Sequence, residues 1–401
     1  MRRLLFITYT WPPHAGSGVF RPAKFAKYLP SFGWQPMVVC ADRWASEYTD
    51  DSLMGEVSRL KSIDIMDLGI KRLVRWNRHL SVLANVLAFP DTAALWARDV
   101  RQFLPAWIET YKPDAVWTTA PPYSAHLVGQ WVKRKYGIPW FADLREQWAG
   151  DITRPMPPGY RAAHRWLERR TLADADRICC LSVPRMHEIQ ARVGGDADRY
   201  LVITNGWDDE AQGGPPHKHE RFTMTYTGVF TKRRRPDTFC RAVQWLVESG
   251  MLEPDAIRVR FVGPRLDRYV PERPYFECVG QASHEAVLDA YREADVLLLL
   301  LDPTPENAGR YSGKLLEYIA ANRPILAIGP RGGVAEALLD ETATGAMVGD
   351  NVEQIGYAIL RLYRQWREGT TLRPDHQAIG RYHRRYLTQK LALELRKICH
   401  E

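Results

Sequence analysis

Short apolar segments and amphipathic helical segments alternate along this chain, and the alternation stops once and then restarts. Residues 4–8, 36–40, 115–119, 140–143, 178–182 and 200–204 read as buried strands, with near-continuous apolar side chains. Between them, residues 18–32, 123–136 and 160–173 carry apolar residues at helical spacing. A strand–helix rhythm of this kind excludes hairpin folds and implies a parallel sheet covered by helices on both faces. The run NGWDDEAQGGPPHKHE at 205–220, rich in Gly, Pro and mixed charge, interrupts it. The rhythm then resumes with strands at 222–227, 258–262, 276–279, 296–301 and 325–328, and helices at 236–249, 284–293, 313–320 and 352–368. The expected fold is α/β, with two Rossmann-like doubly wound units facing a central cleft. The units span 1–205 and 221–373, joined by a linker at 206–220. A basic helical tail at 374–401 is expected to pack back across them. Ligands of such folds sit outside the carboxyl ends of the strands.

A length of 401 residues fits two domains, and 45% hydrophobic residues suffice for two cores. The opening MRRLLFITYTWPP is charged and then apolar like a leader. Its apolar run is short and ends at Trp11-Pro12-Pro13, so a first core strand is expected. None of the six cysteines forms a CxxC pair or has a histidine at zinc spacing. They read as buried thiols in a reducing cytoplasm, and no metal is expected. The charge is lopsided. Residues 1–205 hold 28 Lys and Arg against 20 Asp and Glu, a net of +8; residues 206–401 hold 27 of each, a net of zero. A basic first half suggests an anionic partner. Within it, KRLVRWNR at 71–78 is strongly basic, while Leu73, Trp76, Leu80, Leu83 and Leu87 recur at helical spacing. A basic amphipathic helix over 71–89 suits an anionic membrane surface. No nucleic-acid-binding module is recognisable. The expected location is cytoplasmic, peripheral on the inner face of the membrane.

One stretch suggests a ligand directly. In AGRYSGKLLEYIAANRPILAIGPRGGVAEA (308–336 and the residue after it), a small-residue turn leads into a short helix at Ser312, Gly313 and Lys314. Unpaired amides and the positive end of the helix dipole meet there, which suits a phosphate. Glu317 follows one turn later, within reach of a sugar hydroxyl beside that phosphate. The layout fits a nucleotide diphosphate.

Six segments in order carry a resemblance: WPPHAGSGVFRPAKFAKYL, PPYSAHLVGQWVKRKYGIPWFADLREQW, ITNGWDD, YTGVFTKRRRPDTFCRAV, VGQASHEAVLDAYREADVLLLL and SGKLLEYIAANRPILAIGP. Together they resemble a retaining glycosyltransferase of the GT-B fold, family 4-like, over nearly the whole chain. The resemblance implies transfer of a sugar from a nucleotide diphosphate sugar to a lipid-linked or glycan acceptor, without a metal. It implies that the loop holding Gly16 and Gly18 lies over the active site, with Arg21 just beyond it. It implies that His126 stands near the donor sugar, and that Asp143, Arg145 and Glu146 lie in the cleft, for acceptor binding or structure. In the second half, Gly228 and Gly263 should border the nucleotide, with a basic residue and then a lysine after Gly228 on the diphosphate. Four consecutive cations stand there; Lys232 and Arg233 are chosen, with Lys314, as the catalytic cations. Glu317 fits the second of two family glutamates spaced by eight, but Gly309 stands where the first belongs. Backbone amides of 308–312 then take over its sugar contact. Two alternatives use the same architecture: a sugar-nucleotide epimerase or hydrolase working through Asp143, Glu146 and His126, and a non-catalytic nucleotide-sugar-binding relative.

Overall fold

The structure, a computed structural model, describes residues 1–14, 17–41, 53–65, 88–150, 158–213, 220–304, 307–370 and 372–399. They fall into two compact units, Met1–Thr204 with Arg384–Glu401, and Asn205–His383.

The first unit is built on a parallel sheet of β1 (Arg2–Ile7), β2 (Trp34–Ala41), β3 (Lys61–Ile65), β4 (Ala115–Ala120), β5 (Trp140–Leu144), β6 (Arg177–Cys180) and β7 (Tyr200–Val202). Their order is β3-β2-β1-β4-β5-β6-β7, and every pair is parallel. Successive side chains of β1 serve opposite faces. Leu5 and Ile7 pack with Val39, Val116 and the helices Ala94–Tyr111 and Ser124–Tyr136. Leu4 and Phe6 pack with Trp34, Trp117 and the helices Ser17–Tyr28 and Arg384–Ile398. The last helix seals that face with Leu387, Leu391, Leu395 and Ile398, all buried. Each contributes on the order of 1.5–3 kcal/mol by leaving water. Trp34 Nε1 also donates to the Ala392 carbonyl at 3.3 Å, and Arg177 pairs with Glu394 at 2.9 Å.

The second unit repeats the plan with β8 (Phe222–Thr227), β9 (Ile257–Val262), β10 (Phe276–Val279), β11 (Val296–Leu300), β12 (Ile325–Ile328) and β13 (Gly345–Val348). The order is β10-β9-β8-β11-β12-β13, again all parallel. β11, VLLLL, is buried throughout, as a central parallel strand covered on both faces must be.

Several sequence expectations change. The described part of the linker, 206–213, does not run free. Trp207 and Ala211 are buried in the second unit, and Gly213 N–H bonds the Ala320 carbonyl at 3.0 Å. The helical tail over 374–401 is two helices, His376–Gly380 in the second unit and Arg384–Ile398 in the first. Between them the chain leaves the second unit beside its point of entry: Trp207 bridges His383, and its ring meets that imidazole at 4.6 Å. The cysteines are not all buried, since Cys278 is exposed and Cys399 half-buried. Among the described residues, no helix is long and apolar enough to cross a membrane.

Candidate active site

In each sheet, the strand order reverses direction at one point, between β1 and β4 in the first unit and between β8 and β11 in the second. The loops leaving neighbouring strands diverge there and open a crevice at the carboxyl edge. The segments holding Gly18, His126, Gly228 and Ser312 follow those four strands, while Asp143 and Gly263 belong to the carboxyl ends of β5 and β9.

In the first unit, the helix Ser124–Tyr136 begins after β4, and its amino end is capped from outside. Asp91 Oδ2 accepts from the amides of Tyr123 (2.6 Å) and Ser124 (3.0 Å), and Oδ1 accepts from the Ser124 hydroxyl at 2.7 Å. This fixes the turn that carries His126. The imidazole is fully buried, with Trp140 and Trp148 ring centroids 6.1 and 6.4 Å away. Its Nδ1 lies 2.8 Å from Thr118 Oγ1, which itself accepts from Trp140 Nε1 at 2.8 Å. A hydroxyl has one proton and two lone pairs, so Thr118 can pair with Nδ1 in either tautomer of the ring. Among the described residues, Nε2 has no hydrogen-bond partner. Burial pushes the histidine pKa down to about 3, against the pull of Asp143. His126 is therefore a neutral ring whose buried Nε2 lacks a partner among the described residues, a group that gains from a ligand hydroxyl, which can give or accept.

Asp143, at the end of β5, is spent inside the protein. Its carboxylate accepts both Arg21 Nη2 (2.7 Å) and Nε (3.1 Å), and the Thr119 hydroxyl at 2.7 Å. Both members of the pair are at most 3% exposed. Burial alone would raise the Asp143 carboxyl; the Arg21 guanidinium more than reverses this and holds it below the usual range. Arg21 also donates to the carbonyls of Thr204 (2.6 Å) and Ile203 (2.9 Å). Asp143 thus braces the sheet edge, and Arg21 is neither a surface residue nor an anion ligand. Arg145 ties the two diverging loops together, donating to the carbonyls of Gly18 (2.5 Å), Pro121 and Ala120 (3.3 Å). Glu146 beside it is half-buried. Gly16 lies outside the described residues.

In the second unit, β8 and β9 end in Gly228 (φ +113°) and Gly263 (φ +154°). A side chain on Gly263 would overlap the Gly228 carbonyl, and one on Gly228 would overlap the Lys314 ammonium. The glycines keep this corner open for Lys314, whose Nζ donates to the Thr227 carbonyl and lies 4.6 Å from the Tyr226 ring centroid. Ser312 caps the helix Gly313–Ala320 by backbone alone, with no side-chain cap bond, and space beside Gly313 is open. Lys314 and Glu317, three apart, share one face of this helix. Burial, and then the Arg234 charge, lower the Lys314 pKa to about 7, with Glu317 opposing. Glu317 Oε2 accepts from Tyr291 OH at 3.1 Å. The Thr227 hydroxyl lies 3.3 Å from Tyr291 OH and 3.3 Å from Tyr318 OH. Thr227 is therefore the hub of one network, meeting Lys314 through its carbonyl and Glu317 through Tyr291.

Of the four cations after Gly228, Arg234 is half-buried, and its charge is the one that bears on Lys314. A tight turn, Thr231 N–H to Arg234 O at 3.0 Å and Arg234 N–H to Thr231 Oγ1 at 3.1 Å, folds Arg234 inward. Lys232 and Arg233 are exposed, and Arg235 pairs with Asp237 at 2.7 Å. The 307–312 loop is seated by Val334 N–H on the Ala308 carbonyl, at 2.8 Å.

Two family models match the chain: the glycosyl transferase 4-like domain over residues 20–206, and the glycosyl transferases group 1 domain over 221–365. A glycosyltransferase from Rickettsia africae ESF-5 superposes with a TM-score of 0.66 at 16% identity, covering 100% of this chain and 99% of that one. Both family models and the fold agree. The chain is a family 4-like glycosyltransferase of GT-B architecture. Anabaena Alr3699/HepE in complex with UDP-glucose is also similar (TM-score 0.58, 13% identity, 99% and 97% covered). So is a putative UDP-N-acetylglucosamine 2-epimerase from Listeria monocytogenes (0.53, 13%, 97% and 94%). The fold alone therefore does not separate transferase from epimerase; the family models do. No curated protein matches the sequence.

Sequence reasoning missed several residues that organise this glycosyltransferase: Asp91, Thr118, Thr227, Tyr291 and Arg234. Asp91, Thr227 and Tyr291 act by contacts distant in sequence, and Thr118 meets His126 across a turn. Arg234 is one of four consecutive cations, and only the turn distinguishes it.

Proposed function

We propose that this glycosyltransferase moves a sugar from a nucleotide diphosphate sugar to a lipid-linked or glycan acceptor of cell-envelope glycan synthesis, keeping the anomeric configuration and using no metal ion. The observation that carries the reading is the shared helix face of Lys314 and Glu317, with Arg234 beside it, at the switch point of the second sheet. In this reading Lys314, Arg234 and the amides of Gly313 and Lys314 receive the diphosphate, and Glu317 meets the ribose. As the bond from the anomeric carbon to the phosphate oxygen breaks, negative charge grows on the leaving diphosphate. Fixed cations and amides that stabilise it supply the main catalytic term. The acceptor oxygen bonds to the anomeric carbon from the same face, and its proton passes to the departing phosphate oxygen. His126 Nε2 pairs with a hydroxyl of the transferring sugar. The acceptor's lipid is met at an anionic membrane surface through the basic segment 71–89, of which 71–87 lies outside the described residues.

An epimerase or hydrolase needs side chains that give and take protons at neutral pH. Asp143 is committed to Arg21, and His126 stays neutral far above its pKa of about 3, which weighs against that reading. Titration of the protein with uridine and guanosine diphosphate sugars by thermal shift tests the proposal. One series is expected to raise the melting temperature of the wild type and not of Lys314→Ala. Equal shifts in both proteins would reject the site. Proton NMR of the product anomer, and activity in excess chelator, check retention and metal independence. Donor binding without any transfer across acceptors would support the non-catalytic alternative.

A further inference from the structure

In the helix Pro158–Leu172 of the first unit, charge is sorted by side. Its one acid, Glu168, is fully buried and accepts Arg192 at 2.9 and 3.3 Å. His164, four residues earlier, is also fully buried. The opposite face presents Arg165, Trp166, Arg169 and Arg170, all exposed and at spacings that place them together. Among the described residues, none of the three arginines has an acidic partner. Arg170 lies 5.2 Å from the Trp166 ring centroid. Trp166 is 58% exposed, and no other tryptophan among the described residues is exposed. The chain emerging from the basic 71–87 segment is anchored on this same helix. Phe89 meets Tyr160 at 5.6 Å and His164 at 4.9 Å.

We propose that the outward face of this helix docks on a bilayer containing anionic lipid, with Trp166 in the headgroup region and Arg165, Arg169 and Arg170 on the lipid phosphates. The inference rests on the lipid-linked acceptor proposed above and adds a second membrane-facing surface to the segment 71–89. An indole surrounded by guanidinium groups suits the boundary between headgroups and chains, where an amphipathic ring is half solvated. Each cation near a negatively charged leaflet adds about a fivefold factor in partitioning at physiological salt. The inward placement of the helix's only acid keeps the face free of negative charge.

Flotation of the full chain with phosphatidylcholine vesicles, with and without phosphatidylglycerol, tests this. The wild type is expected to float with the anionic vesicles and to be released by high salt. Arg165→Glu, Arg169→Glu and Arg170→Glu together are expected to lower binding at least a hundredfold, and Trp166→Ala severalfold. A control triple on the second unit, Arg361→Glu, Arg364→Glu and Arg367→Glu, makes the same change in net charge and is expected to retain most binding. Equal loss in both triples would reduce the effect to net charge and overturn the proposal, as would unaltered binding in the first triple. Absence of lipid binding by the wild type, or preference for RNA over vesicles, would overturn it too. Thermal shift with the donor series, run on each variant, separates the two ideas: donor binding persists in all of them if the site is right, whatever the lipids do.

Discussion

The two units handle the polar groups at their switch points in opposite ways. In the first unit they are closed on one another. Arg21, Asp143, Thr119 and the Ile203 and Thr204 carbonyls saturate each other in the interior, while His126 Nε2 beside them has no partner among the described residues. In the second unit the cations are only half-buried and repel each other. Lys314 and Arg234 lie close, and burial with that repulsion brings the lysine near the point of losing its proton. The first arrangement is a brace that holds a shape. The second stores unfavourable charge that an anion relieves on binding, as a cradle for a leaving diphosphate requires.

The largest effect expected from breaking this contrast is on the brace. Arg21→Met leaves Asp143 buried without its counter-ion, and unfolding in urea should show a loss of about 3–5 kcal/mol. A loss below about 1 kcal/mol would mean that the carboxylate finds water. On the cradle, Lys314→Ala should lower kcat/KM by roughly 10²–10³ with little loss of stability, since an ammonium that resists burial is being removed. Arg234→Ala should follow in the same direction, whereas Lys232→Ala and Arg233→Ala should change little. A reversal of that order in steady-state kinetics would return the assignment to the sequence choice.

The pH response sharpens the contrast further. Lys314 titrates at about 7 in the free protein, and its protonated form is the one that holds phosphate. Donor affinity is therefore fully present below pH 7 and falls above it, by at most tenfold per unit. Stability runs the other way: between pH 7 and the ordinary lysine value of 10.5, the unfolded chain binds the extra proton, so this residue favours the fold more as pH rises. Lys314→Arg should flatten the affinity profile, measured by calorimetric titration from pH 6 to 9. His126, with a pKa near 3, should add no limb in that range, and His126→Gln should lower kcat without changing the shape. The smallest effect expected is in the network behind Glu317. Tyr291→Phe removes one hydroxyl worth about 1 kcal/mol, so the donor KM should rise about fivefold with kcat nearly unchanged. A drop in kcat instead would place Tyr291 nearer the chemistry.

Much of the architecture was legible because parallel strands are apolar along their length. The segments 222–227, 276–279, 313–320 and 325–328 coincide with β8, β10, the Lys314 helix and β12. Elements lacking that signature were missed. β3, KSIDI, is a polar edge strand; β13, GAMV, is four residues long; Ala94–Tyr111 contains Pro105, which reads as a helix breaker. Local signals singled out Lys314, Glu317 and His126. For Asp143 they left acceptor binding and a structural role open, because the arginine that pairs with it lies 122 residues away. The choice among residues 232–235 failed to reach Arg234 because composition carries no information about which way a turn points each side chain.

One detail of connectivity bears on how the protein is made. The first unit takes its final helix, Arg384–Ile398, from the far end of the polypeptide, after an excursion from Asn205 to His383 that returns to where it started. On the ribosome, the buried wall formed by Leu4, Phe6 and Trp34 stays only partly covered, by the helix Ser17–Tyr28, until residues 384–398 have been made. The intervening lobe, with its ends side by side, can complete itself meanwhile. A truncated gene that ends at residue 383 should therefore yield a sound second half attached to a first half with an open greasy flank.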